Sequence, residues 1–149
     1  MKISVTHTSK SDKNEWENLY RGYAKFYNMP MEQSTLDTVW SWIHNEHKDF
    51  FGLIAKDENN QAVGLMHCRA MVSPLRGAEV GFLDDLFVIP EVRGKEVVEA
   101  LYAELNNLGD QQGWPFIRWI TADNNYRARN VYDKISEKTA WVTYQMPIE

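Results

Sequence analysis

Hydrophobic positions along the chain follow two spacings, and the changes between them divide the sequence into strands and helices. The segment ISVTHT (3–8) alternates like a short strand, whereas apolar residues within 16–27 recur every three or four positions, as on a helix face. Helical spacing returns over 36–47, after Ser34 or Thr35 as a possible cap. FFGLIAK and AVGLMHCRAMV then predict a hairpin around DENNQ, and the turn SPLRG leads into a further strand, AEVGFLDDLFV.

The second half of the chain alternates helix and strand. A long helix is predicted over 97–108, ending near Gly109 or Gly113, and PFIRWITA (115–122) predicts a strand. Helical spacing over 128–135 follows, and AWVTYQM predicts a closing strand. This order predicts an α/β domain of the α+β type, with a mixed, mostly antiparallel sheet flanked by helices and one βαβ crossover.

Length and composition limit the classes of function. The 149 residues contain no repeat or linker, so a single domain over 1–149 is expected. Acidic and basic residues are mixed and the net charge is −5, which disfavours nucleic acid and favours cationic small molecules or basic protein tails as partners. Cys68 is the only cysteine, which indicates a reducing compartment. Because the sequence has neither a signal core nor an apolar run that could span a membrane, a cytoplasmic protein without a membrane partner is expected.

Two segments contain candidate chemistry. The stretch DDLFVIPEVRGKEVVEAL (84–101) predicts a strand, a loop and a helix, and unpaired N–H groups at a helix N-terminus can bind a pyrophosphate. An ordinary strand-to-helix turn is an alternative explanation of the same segment. In NNYRARNVY, Asn125, Ala128 and Tyr132 share a helix face, although a tyrosine at that spacing is also common in an amphipathic core.

Taken together, LDDLFVIPEVRG, the helix and strand that follow, and NNYRARNVY resemble the Gcn5-related N-acetyltransferase (GNAT) family. The resemblance is closest to the diamine and polyamine branch, which also has an early helix of the YAKFYN type. It covers roughly residues 3–146, with its specific motifs between 81 and 132. It implies that acetyl-CoA lies in a V-shaped gap between the strands at 81–88 and 115–121.

The resemblance also implies roles for individual residues. Tyr132 would protonate the leaving CoA thiolate, and Asp84 would act as a base through water. The expected cofactor contacts are the backbone of Leu86, Phe87 and Val88, the pyrophosphate loop of Arg93, Gly94, Lys95, Glu96, Val97 and Val98, and the residues Asn125 and Arg129. The loop departs from the family pattern, because Glu96 and Val98 replace two small residues.

The amine site is expected beside Asp84. Side chains alternate along a strand, so only one of Asp84 and Asp85 is expected to face the cleft; Asp84 is favoured by family position, and Asp85 is a candidate for substrate binding. For either residue, a solvated or paired carboxylate is the alternative. In this family the first two helices wall the amine site; most of their aromatic rings are expected in the core, and one or two could hold a cationic amine over a ring face. These rings are Tyr23, Phe26, Tyr27, Trp40 and Trp42.

Two further features support a structural role better than a chemical one. His44 and His47 lie three apart on a helix, but no third metal ligand at suitable spacing is evident. Cys68 could take the acetyl group itself, although a buried inert thiol fits its strand better.

The resulting hypothesis is an N-acetyltransferase that moves an acetyl group from acetyl-CoA to a primary amine of a small molecule by direct attack. It needs no metal, and a homodimer is expected from the family. The alternative is a degenerate GNAT-fold protein that has lost turnover and serves as a binding or structural module. An unrelated α/β interaction domain is a third possibility.

Overall fold

The computed structural model describes residues 2–46, 49–92 and 95–149. The chain divides into two compact units, 1–119 and 120–149. The first unit contains β1 (Ser4–His7), α1 (Lys13–Phe26), α2 (Gln33–Ser41), β2 (Phe50–Lys56), β3 (Ala62–Ser73), β4 (Ala78–Val88), α3 (Lys95–Gln112) and β5 (Ile117–Arg118). The second unit contains α4 (Tyr126–Ile135).

The strands form one sheet in the order β1–β2–β3–β4–β5. The first four are antiparallel neighbours, whereas β5 pairs with β4 in parallel at Gly81–Ile117 and Phe82–Arg118. Helix α3 connects these two parallel strands and so forms the βαβ crossover. The predicted fold class, a mixed, mostly antiparallel sheet flanked by helices, is confirmed.

Alternating side chains of the sheet supply two buried clusters. Leu53 and Met66 belong to a cluster that contains the inner face of α3, whereas their neighbours Ile54 and Leu65 join a cluster with α1 and α2. Neighbouring strand residues point to opposite faces, so helices cover both faces of the sheet in this unit. Helix α1 approaches β4 closely, because a Cβ added at Gly22 would lie 3.0 Å from the Phe87 ring.

A bulge in β4 changes the direction of its side chains. On β3, His67 pairs with Asp85, and the next residue, Cys68, pairs with Leu83. Asp84 is therefore the extra residue of the bulge, which interrupts the regular alternation of faces at this point.

The structure corrects the predicted start and end of the second helix. Helix α2 starts at Gln33, with Glu32 as its N-cap, so Ser34 and Thr35 lie in its first turn and do not cap it. Its continuation over Trp42–Glu46 is π-helical, and His47 lies outside the described residues.

Two predicted strands also differ from the structure. The strand expected over 115–122 is formed only at Ile117–Arg118. The closing strand expected at AWVTYQM is wrong for the described chain, since residues 137–149 have no regular structure and are exposed. A strand exists only where its backbone pairs with another, and within the second unit only α4 is regular.

Candidate active site

A cavity of about 590 Å³ opens in the first unit, where α1 and the end of α2 meet the sheet. It is lined by Tyr20, Val39, Trp42, Asp49, Phe50, Arg69, Ala70, Asp84 and Asp85. Aromatic rings and three carboxylates thus surround a space large enough for a small molecule.

Both acidic residues of the β4 bulge line this cavity. The expectation that only one of Asp84 and Asp85 could face the cleft is therefore wrong. That expectation assumed strict alternation, which the bulge interrupts between the positions opposite His67 and Cys68.

Asp84 is a half-buried carboxyl with one cationic neighbour. Its Oδ2 lies 3.2 Å from Nε of Arg69, whose guanidinium stacks over the Phe82 ring at 4.8 Å. Burial raises the pKa of Asp84 above its ordinary value, the nearby charge of Asp85 raises it further, and Arg69 opposes the rise. A carboxyl with a raised pKa is better matched to taking a proton near neutral pH than an ordinary aspartate.

Asp85 has the opposite electrostatic environment. His67 Nδ1 lies 2.8 Å from its Oδ2, and the Tyr20 hydroxyl donates to the same oxygen at 2.9 Å. The Tyr23 hydroxyl also hydrogen-bonds to this carboxyl. Burial on its own raises the pKa of Asp85, but these hydrogen bonds outweigh it and the pKa is lowered. Asp85 is therefore held as the ionised form.

The tyrosines beside Asp85 are held protonated. Burial is the largest cause that raises the pKa of Tyr20 and of Tyr23, and the charge of Asp85 adds to it. Behind them His67 is fully buried, and its Nε2 accepts a hydrogen bond of 2.9 Å from Nε1 of Trp16.

The aromatic residues predicted for the amine site have separate locations. Trp42 lines the cavity, whereas Tyr23 hydrogen-bonds to Asp85 and the Trp40 ring packs at a tilted angle against Trp16 and His44. Phe26 and Tyr27 lie at the exposed end of α1, with the Tyr27 ring 4.9 Å from that of Tyr23. Tyr20 and Phe50, which the sequence did not single out, complete the aromatic lining.

The cofactor contacts predicted on β4 come after the residues of β4 that pair with β5. Leu86, Phe87 and Val88 lie on the part of β4 beyond Phe82, which β5 does not accompany.

The predicted pyrophosphate loop is described only in part. Arg93 and Gly94 lie outside the described residues, as does the side chain of Lys95, where α3 begins. Glu96 is exposed. Val97 is buried in the core, and Val98 packs against the same cluster, so the bulk of both valines faces the sheet.

The second unit contains the remaining predicted residues, on or beside α4. The Asn125 side chain accepts a hydrogen bond from the Ala128 N–H at 3.3 Å and so caps the helix. Arg129 donates to the backbone carbonyl of Asp123. Tyr132 is half-buried, and its carbonyl accepts from the Ser136 hydroxyl.

Several other expectations can be compared with the structure. Cys68 is buried, as expected, and burial raises the pKa of its thiol to about 12. The His44 ring lies 4.1 Å from that of Trp40, and burial lowers its pKa. Within the described ranges, no three acidic, histidine or cysteine side chains are arranged to hold a metal ion. No described helix is both long and apolar enough to cross a bilayer.

Sequence reasoning missed His67, Tyr20 and Arg69. The signal for His67 was available, because it is a polar residue inside the apolar run GLMHC of a predicted strand. Tyr20 lies one helical turn after Trp16, on the face that meets the sheet. Nothing in the local pattern singled out Arg69.

Comparison with known proteins defines the class. The model of the acetyltransferase (GNAT) family matches residues 16–136, and the chain belongs to that family. The D-amino-acid N-acetyltransferase HPA3 of Saccharomyces cerevisiae is 27% identical over 145 residues, covering 97% of this chain and 90% of that protein.

Solved structures share the fold. The structure of AAC(6')-Iy in complex with a bisubstrate analogue, CoA-S-monomethyl-acetylneamine, superposes with a TM-score of 0.86 at 18% identity and covers 99% of each chain. A ribosomal-protein-alanine N-acetyltransferase from Brucella melitensis has a TM-score of 0.81 at 18% identity, over 99% of this chain and 100% of that one.

Proposed function

We propose that the protein is an acetyl-CoA-dependent N-acetyltransferase whose acceptor is a primary amine of a cationic small molecule. The observation that carries this proposal is the pair Asp84 and Asp85, which share one cavity and have pKa shifts in opposite directions. Adjacent carboxyls with separated pKa values suit different roles, one as a base and one as a fixed anion.

Asp84 takes the role of the base. An alkyl ammonium has a reference pKa of about 10.4, so it must lose a proton before its nitrogen can attack a thioester. Asp84 accepts that proton directly or through one water, and its raised pKa makes it a better base than an ordinary aspartate. The new C–N bond forms as the C–S bond breaks, and the nitrogen gives its second proton to solvent, which leaves the amide and the CoA thiolate.

Tyr132 takes the role of the acid that protonates the departing thiolate. This assignment rests on the match of NNYRARNVY to the family motif and on the place of Tyr132 on α4. Leu86, Phe87 and Val88 would hold the pantetheine arm by backbone hydrogen bonds, and the N–H groups that begin α3 would receive the pyrophosphate.

The charge of the cavity supports a cationic amine. Asp49, Asp84 and Asp85 set three carboxylates against the guanidinium of Arg69, a formal charge of −2 when all are ionised. The rings of Tyr20, Trp42 and Phe50 add faces on which an ammonium is stabilised. A D-amino acid is a second candidate, since HPA3 is named for that activity and Arg69 could receive a carboxylate.

A binding module without turnover remains the alternative function. Its support is the departure of the loop from the family pattern at Glu96 and Val98. Because Val98 packs against the core and Glu96 is exposed, only the charge of Glu96 still bears on phosphate binding.

Calorimetric titration with acetyl-CoA, followed by a thiol-release assay with a panel of diamines, monoamines and D-amino acids, tests the proposal. Binding together with amine-dependent release of CoA supports an enzyme. Binding without release, for any amine in the panel, supports the module. No binding of acetyl-CoA refutes the proposal.

We also infer a homodimer in solution. The support is the exposed segment 137–149, in which Trp141 is 78% and Ile148 is 87% exposed. Large apolar side chains left in water favour association with another surface. Light scattering over a concentration range tests this, and a strictly monomeric mass contradicts it.

A further inference from the structure

The buried hydrogen bonds behind the cavity have a fixed direction. An indole N–H can only donate, so Nε2 of His67, 2.9 Å from Nε1 of Trp16, must present a lone pair. The proton of the imidazole is therefore on Nδ1, which donates to Asp85 at 2.8 Å. In this arrangement the hydrogen bond from Nδ1, and not a charge on the ring, is what His67 contributes to the Asp85 carboxylate.

The donor and acceptor roles are also fixed for Tyr20, at the wall of the cavity. A carboxylate can only accept, so the Tyr20 hydroxyl gives its hydrogen to Asp85, over 2.9 Å. The Tyr20 oxygen then has only lone pairs left to offer, and Tyr20 lines the cavity. A hydroxyl fixed in this way can accept a hydrogen bond from a substrate but cannot donate one.

The charge left in the cavity after the reacting amine is deprotonated indicates which substrate group binds the Tyr20 oxygen. When Asp84 takes the proton of the reacting amine it becomes neutral, and Asp49, Asp85 and Arg69 leave a formal charge of −1 in the cavity. One further positive charge on the substrate balances it. An ammonium group has three donors and no acceptor, which matches the polarity of Tyr20 and Asp85.

We propose that the buried hydrogen bonds from Trp16 through His67 to Asp85 fix Tyr20 as a hydrogen-bond acceptor for a second, non-reacting ammonium group of the substrate. The amine substrate is then a diamine or a larger polyamine. This inference rests on the acetyl transfer proposed above and names its substrate class. Tyr20 is the specificity residue, and Trp16 and His67 are positioning residues that do not touch the substrate.

The test compares two acceptors of equal length, 1,5-diaminopentane and pentylamine, which differ by one ammonium group. Wild-type protein should acetylate the diamine with a kcat/KM about 10- to 100-fold higher, the range of one charge-assisted hydrogen bond. Tyr20→Phe should lower this ratio by about tenfold, mainly through KM for the diamine. Tyr126→Phe, an exposed tyrosine on α4, is the matched control.

Two further measurements separate positioning from mere folding. Nitrogen NMR of the full chain at pH 7 should show His67 protonated at Nδ1 only, with exposed His7 as the reference. His67→Gln keeps a neutral donor and acceptor and should retain more of the diamine preference than His67→Leu, at equal melting temperature.

The outcomes distinguish this inference from the proposed function. If neither amine is acetylated but another amine of the panel above is, the second-ammonium assignment is overturned and the transferase stands; if no amine of that panel is acetylated, the proposed function fails. If both are acetylated equally well, or Tyr20→Phe reduces both equally, the transferase stands and the second-ammonium assignment is overturned. A doubly protonated His67, or a proton on Nε2, overturns the donor and acceptor roles assigned to the buried hydrogen bonds.

Discussion

Asp84 and Asp85 are consecutive on β4, line one cavity, and have carboxyl pKa values shifted in opposite directions. The bulge opposite His67 and Cys68 makes this possible, because a regular strand would send the two side chains to opposite faces. Burial is the largest influence on both. It is outweighed only at Asp85, where His67, Tyr20 and Tyr23 hydrogen-bond to the carboxylate.

Replacing Asp84 with Asn should lower amine acetylation at pH 7 and change its pH dependence. Without the base, the rate should recover as pH rises toward the pKa of the free amine, about 10.4, where the substrate loses its own proton. Steady-state kinetics from pH 6 to pH 10 measure this, with Asp110→Asn at the exposed end of α3 as the control. An unchanged profile in the mutant would refute the role of Asp84 as base.

Replacing Tyr132 with Phe should reduce kcat by about 10²-fold while the affinity for acetyl-CoA stays the same. The reason is that the lost hydroxyl acts only on the leaving thiolate. Stopped-flow kinetics and calorimetry on the same preparation separate the two quantities, and Tyr126→Phe is the control. Full turnover in the Tyr132 variant would remove the tyrosine from the mechanism.

Replacing Glu96 with Gln should strengthen binding of CoA but not of a pantetheine fragment that lacks the pyrophosphate. Two unit charges about 4 Å apart near a surface interact by on the order of 4 kcal/mol at an effective dielectric of 20, so even a more distant carboxylate weakens phosphate binding. Glu99→Gln, also exposed on α3, is the control. An equal gain for both ligands would mean that the start of α3 is not the phosphate site.

The stability of the fold at neutral pH should depend on Asp12. Its carboxylate is 3% exposed, lies 2.7 Å from Lys56 Nζ and accepts from the Ser9 N–H at 2.8 Å. Burial raises its pKa, but these partners outweigh burial and lower it. A lowered folded-state pKa gives stability that is present above the unfolded value, about 3.9, and lost as pH falls through the folded value.

Asp12→Ala should therefore cost about 1–3 kcal/mol at pH 7, the scale for leaving a partly buried charged group without its hydrogen-bond partner, and the deficit should shrink below about pH 4. Urea unfolding at pH 7 and pH 3 measures it, and Asp110→Ala is the exposed control. A deficit that is equal at both pH values would contradict the ionic contribution.

Elements with a sustained hydrophobic period were predictable. Helices α1 and α3 and the hairpin of β2 and β3 follow patterns that extend over many residues, and each is confirmed. Of the last two predicted strands, the one over 115–122 forms only at Ile117–Arg118 and the one at AWVTYQM does not form, because a strand depends on a partner far away in sequence as well as on composition. Propensity alone cannot report whether that partner is present.

The site was predictable only in part. The family motif singled out Asp84, which lines the cavity, but the bulge that brings Asp85 into the same cavity depends on the register with β3, which no local pattern encodes. His67 and Tyr20 lie 47 positions apart and meet through Asp85, so their connection is a tertiary property. Such residues are brought together only by the hydrogen bonds of the folded chain.

The most direct test of the account is the fate of a labelled acetyl group. Acetyl-CoA labelled with carbon-13 on the acetyl carbonyl is mixed with the protein and 1,5-diaminopentane, and both the amine and the intact protein are weighed by mass spectrometry. We expect one labelled acetyl on the diamine for each CoA released, no acetyl on the protein because the Cys68 thiol is buried with its pKa raised to about 12, and slower transfer in Asp84→Asn. A bound acetyl-CoA that is never consumed, or a labelled acetyl that accumulates on the protein before reaching the amine, would contradict direct transfer.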